Sequence, residues 1–146
     1  MQEADHILIP LLDGKHALAQ VARIERERAL VLLTERISTS SAKTKAIDAE
    51  DVIASVIVTP DALTKDQWPV VGYDAVPRIE QYIELFVPIE DPIDPALAEA
   101  LANALHGLYP WDGFPDPAFF DGFLRDGVSP PESIRLSADF PKPGDT

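Results

Sequence analysis

Three histidines, His6, His16 and His106, are the side chains of this chain best suited to proton transfer at neutral pH, and no cysteine stands beside them. They fall in three separate segments. His6 and His16 could face each other across a hairpin with Asp13 between them, and that acid–base pair with its carboxylate is the one enzymatic arrangement the sequence offers. No partner chemistry accompanies it: there is no glycine-rich phosphate cradle, no His-x-x-x-His or Glu-x-x-His metal spacing, and no nucleophile elbow around the hydroxyls of Ser38 to Ser41. A surface pair is the plainer reading. Asp112, Asp116 and Asp121 lack the dense oxygen spacing of a calcium loop, so neither a metal nor another cofactor is expected.

The other concentration of functional residue types is the stretch 107–127, GLYPWDGFPDPAFFDGFLRDG. Tyr109, Trp111, Phe114, Phe119, Phe120 and Phe123 are six of the chain's eleven aromatic residues, and four aspartates interleave with them. The bland account makes the aromatics a satellite core beneath a loop and the aspartates caps, Asp116 before Pro117 being the clear case. The functional account has a loop held rigid by aromatics presenting Tyr109, Trp111, Asp112 and Asp121 to a partner, since interfaces favour such anchors.

The elements that must position these groups start with residues 6–35. Short apolar runs at 7–12 and 15–24 flank Asp13-Gly14, a hairpin signal, and a second hairpin would turn through residues 25–28 into 29–34. A two-residue turn and a turn with a glycine bulge put opposite strand faces inside, and both remain open. Residues 17–37 also carry helical spacing at Leu18, Val21, Ile24 and Arg28, but the turn signal and the all-apolar run Leu30 to Leu33 favour strands. Residues 37–46 read as an exposed loop, 52–58 as a buried strand, 61–66 as a short helix after Thr59-Pro60, and 78–87 as a half-buried strand. Between the last two, Trp68 is expected to pack over an open sheet edge and to be more buried than Trp111. Thirteen of the fourteen prolines follow residue 59. Asp94-Pro95 should cap a helix over 96–106 with Leu97, Leu101, Leu105 and Leu108 on one stripe and Gly107 ending it. Asp116-Pro117 should start a second, ending near Gly127, and an irregular tail follows from 128 to 146.

The expected fold is therefore α+β: a curved, mostly antiparallel sheet or partly open barrel from 6–58 and 78–87, with one longer and one or two short helices packed on it. With 146 residues and 46% hydrophobic side chains a single domain is the default, divided into a β-rich core at 6–90 and an acidic, helical and loop-rich extension at 91–146. The net charge is −13, with 11 acidic and 8 basic side chains in 1–73 and 14 acidic and 4 basic in 74–146. Such a field repels nucleic acid and anionic membranes and attracts basic proteins. The acidic N-terminus, the lack of a bilayer-length apolar run and the lack of cysteine fit a cytoplasmic protein.

Ile9-Pro10-Leu11, Asp13-Gly14, Ala19-Gln20-Val21 and Trp68-Pro69-Val70-Val71-Gly72 together resemble immunity family twenty-six of bacterial polymorphic-toxin systems, over about residues 5 to 90. Pro10, Asp13, Gly14, Trp68, Pro69 and Gly72 are the scaffold positions of that resemblance. It implies a small cytoplasmic protein that binds and neutralises a cognate toxin without catalysis, and it assigns no toxin-contacting residue. Facing a nucleic-acid-degrading toxin, clustered carboxylates would complement a basic cleft. Two other classes stay in view: a small β-barrel adaptor that takes peptides through Trp68 and Tyr73, and a small enzyme using His6, His16 and Asp13.

Overall fold

A computed structural model describes residues 2–25, 27–38, 47–59, 67–77, 92–124 and 128–140. Among them five strands, β1 (Asp5–Pro10), β2 (His16–Glu25), β3 (Arg28–Ser38), β4 (Val52–Val58) and β5 (Val70–Tyr73), form one antiparallel open sheet in the order β4-β3-β2-β1-β5. A helix, α1 (Pro95–Leu105), packs on it, and 3-10 turns occupy Ala49–Asp51, Phe120–Phe123 and Ser137–Asp139. This is the α+β curved sheet expected. The continuous helix weighed for 17–37 is excluded, because 16–25 and 28–38 are the paired strands β2 and β3. The expected helix at 61–66 and strand at 78–87 lie outside the described residues, as does most of the loop at 37–46.

The first hairpin resolves its register through Gly14. Leu11 N–H donates to the Lys15 carbonyl at 2.9 Å and Gly14 N–H to the Leu11 carbonyl at 3.1 Å, so the loop has three residues, with Gly14 alone at positive φ (+86°). That is the glycine-bulge form rather than the two-residue turn. It sends Ile7, Ile9, Leu11, Ala17, Ala19 and Val21 to one face and Leu8, Leu18 and Ala22 to the other. Both faces are buried, and Leu30 to Leu33 are all buried as a strand covered on both sides must be. Register shifts in β2–β3, β3–β4 and β1–β5 add residues to one strand of each pair. Each such bulge bends the sheet.

Asp94 accepts from Ala96 N–H at 2.8 Å and Pro95 opens the helix, as the sequence predicts. The buried stripe is Ala98, Leu101, Ala102 and Leu105, one position away from that expected at its start, with Leu97 and Leu108 only half-buried. Small side chains on both partners, Ala17, Ala19 and Ala54 on the sheet and Ala98 and Ala102 on the helix, let the layers approach closely. Gly107, at φ +75°, donates to the Ala104 carbonyl while Leu108 donates to that of Asn103, which closes the helix with a left-handed cap.

Two departures concern edges. Residues 70–73, where Pro69 and Gly72 punctuate the aromatic pair Trp68 and Tyr73, form the edge strand beside β1 among the described residues. The opposite edge, β4, is met by chain from far along the sequence, with Ile93 bridging Val58 and Leu124 bridging Ala54. Covering an edge in this way protects its free amides and carbonyls.

Candidate partner-binding surface

The stretch 107–124 is a layer of rings, packed tilted and edge-on, rooted in the core. Phe120, fully buried, meets Phe114 edge-on at 5.0 Å, Trp111 at 5.4 Å and Tyr109 at 6.1 Å, and Phe119 lies 4.7 Å from Phe114. Trp111 is not presented to solvent: it is 4% exposed, against 3% for Trp68, so the expected contrast between the two indoles does not exist. Each buried indole N–H has a carboxylate partner, Trp111 with Asp121 Oδ1 at 2.9 Å and Trp68 with Glu99 Oε1 at 2.9 Å. The second short helix proves to be a turn after Asp116, which caps Ala118 N–H at 2.9 Å, followed by the 3-10 segment. Tyr109 is half-buried against Phe114 and Phe120.

The aspartates serve the scaffold more than capping alone required. Asp112 Oδ1 accepts from Ser137 N–H at 2.6 Å and from Ser137 Oγ–H at 2.8 Å, and these bonds hold its carboxyl below the usual range. With Trp111 N–H donating to the Arg135 carbonyl at 2.8 Å and Ser133 Oγ–H to that of Leu105 at 2.7 Å, they fasten the tail 128–140 to the aromatic layer. Asp112 and Asp121, read from sequence as groups presented to a partner, are acceptors that the fold uses, so reversing them to lysine disturbs the scaffold as well as the surface. Asp121→Asn keeps an acceptor oxygen for the indole and should be close to neutral. Asp121→Lys should cost about 1–3 kcal/mol, the usual loss when a buried donor is stranded, read as a lower urea midpoint.

The histidines are not brought together. His6 lies opposite Gln20 and His16 opposite Pro10, at opposite ends of the β1–β2 ladder. His6 is fully buried beside Gln20, whose Nε2 donates to the Ala4 and Asp74 carbonyls at 3.1 and 2.8 Å. His106 closes α1, and Glu35 and Asp13 are the charges that act on it. Burial lowers the pKa of both His6 and His106 from the ordinary 6.5, overcoming the carboxylates nearby. Folded and unfolded chains then bind protons alike above about pH 7, whereas below about 6.5 the unfolded chain takes up protons that the folded one refuses. Stability should therefore fall as pH drops from about 7 toward about 5. Urea midpoints across that range check it, and His6→Gln or His106→Gln should flatten the slope.

The scaffold positions of the N-terminal pattern all have structural duties. The Pro10 carbonyl accepts from Asn103 Nδ2 at 3.4 Å, Asp13 Oδ1 accepts from Lys15 N–H at 3.0 Å, the Pro69 carbonyl accepts from Leu8 N–H at 3.0 Å, and Gly72 lies opposite His6. Sequence reasoning missed Asn103, which is 5% exposed on α1 and also takes Leu12 N–H on its Oδ1 at 2.7 Å and donates to the Glu99 carbonyl at 2.8 Å. A polar residue inside the apolar stripe 98–105 is the signal that could have found it. Among the described residues no group of three or more histidines and carboxylates is disposed to hold a metal ion, and no helix is long and apolar enough to cross a membrane. Comparison with known proteins finds no family model, curated protein or solved structure that matches the chain.

Proposed function

We propose that this chain is a cytoplasmic immunity protein that neutralises a cognate bacterial toxin domain by binding it, with no catalysis of its own. The observation that carries the reading is the placement of charge. Of the net −13, −10 belongs to residues 74–146, 14 acidic against 4 basic side chains, and exposed Asp94, Asp116, Asp121, Glu132 and Asp139 dot the layer that covers the sheet. These carboxylates remain exposed while they serve the scaffold, so the field still reaches solvent. That field speeds encounter with a basic protein and opposes approach to phosphate backbones and anionic lipid. The resemblance of Ile9 to Gly14, Ala19 to Val21 and Trp68 to Gly72 to an immunity family supports the same reading.

The peptide-adaptor reading loses Trp68, which is buried with its N–H engaged, but keeps Tyr73, 81% exposed on an edge strand. The enzyme reading loses its histidine pair. The test is the gene neighbourhood followed by co-expression: a large adjacent reading frame with a variable C-terminal domain is expected, a metabolic operon in its place counts against the proposal, and that C-terminal domain is co-expressed with this chain. Restored growth and an equimolar complex are expected; a toxic domain neither bound nor neutralised would defeat the proposal, and binding to many unrelated short peptides would favour the adaptor.

A further inference from the structure

We infer that the chain grips its partner with the end of the sheet where the β1–β2 turn, the end of β3 and the last turn of α1 converge, and that this end takes a protein face with an apolar pocket bordered by lysine or arginine. This rests on the immunity reading and names the contact it requires. Pro10 opposes His16, which opposes Ser38, so the turn at 11–15 and the end of β3 share one end of the sheet. Asn103 ties α1 to that turn through the Leu12 N–H, and His106, at the end of the same helix, is acted on by both Asp13 and Glu35. Three elements therefore meet there.

Two large apolar side chains stand out at this end, Leu12 at 73% exposed and Ile37 at 49%. Leu12 is held in place before any partner arrives. Its N–H is bound by Asn103 Oδ1 at 2.7 Å, and the turn around it is closed by Gly14 N–H on the Leu11 carbonyl at 3.1 Å and Lys15 N–H on Asp13 Oδ1 at 3.0 Å. A preordered anchor loses little conformational freedom on binding. Asp13 and Glu35 are exposed at this end and both act on His106, Lys15 is exposed beside Asp13, and Arg36 is paired with Asp51 at 3.7 Å, so the carboxylates of Asp13 and Glu35 are the groups that would meet lysine or arginine of a partner.

The test measures binding of the same neighbouring toxin domain to the wild-type chain, to Leu12→Ser with Ile37→Ser, to Glu35→Lys, and to the control Val70→Ser with Tyr73→Ser on β5. The double serine variant at the turn should weaken binding by about 30-fold or more, chiefly through faster dissociation, as loss of a central anchor does. Its thermal midpoint should hold, because both side chains are substantially exposed. Glu35→Lys should slow association at low salt and lose that effect as salt rises. The β5 control should bind as wild type does. Unchanged binding by the turn variant, or a loss confined to the β5 variant, overturns the inference while leaving the immunity reading intact; a wild-type chain that does not bind overturns both.

Discussion

Trp68→Ala and Trp111→Ala should each lower stability by about 3–5 kcal/mol, the range for deleting a large buried aromatic. Trp68 sits in the core shared by the sheet and α1, and Trp111 roots the ring layer against Phe120. Each truncation also strands a carboxylate that had bound the indole N–H, Glu99 in one case and Asp121 in the other. Phenylalanine at either position should recover part of the packing but not the hydrogen bond. Urea denaturation checks the magnitudes, and acrylamide should quench the two indoles equally poorly in the folded chain. A marked difference in quenching would contradict their shared burial.

A glycine series should separate backbone strain from steric contact. Gly107 has φ +75°, and a Cβ there would run into the Ser133 carbonyl oxygen, so Gly107→Ala meets both costs. We expect a loss of roughly 2–4 kcal/mol, about 1–2 of it from the left-handed backbone, or about 5–10 °C in thermal midpoint. Gly14, at φ +86° with open space around it, should show the backbone part alone. Gly122→Ala, with neither positive φ nor a neighbour within 4 Å, should be nearly silent. Equal effects at all three positions would contradict the assignment.

How much of this was legible beforehand follows from the range of the interactions concerned. Asp13-Gly14, Asp94-Pro95 and Gly107 are local signals, and they place the first hairpin and both ends of α1 well. The hairpin register was not legible, because Asp-Gly suits both turn forms and only the Lys15 and Leu11 pairing decides between them. β5 was hidden since its few residues carry no alternation and become a strand only by pairing with β1. Trp111 reads as a loop residue among prolines and glycines; its indole packs on Phe120 while its backbone N–H is taken by the Arg135 carbonyl, neither of which the local sequence reveals. For the site, the aspartates were legible as charge but not as partners of Ser137 and Trp111.

The late position of the sheet's cover shapes how the chain must be made. β1 to β4 leave the ribosome as a meander of neighbouring strands, able to pair at once, while the helix, the ring layer and the two bridges that shield β4 are still unsynthesised. Until residues beyond 92 emerge, the face bearing Ile7, Ile9, Val31 and Val56 lacks α1 and Phe120, and the β4 edge lacks its bridges to Ile93 and Leu124. A nascent chain in that state is exposed to misassociation with its neighbours on the same message, so slow translation before the helix is a hazard rather than a help. Ser133 and Arg135 then arrive as the clasp, and a chain released before them would lack the hydrogen bonds to Leu105 and Trp111 that hold its cover shut.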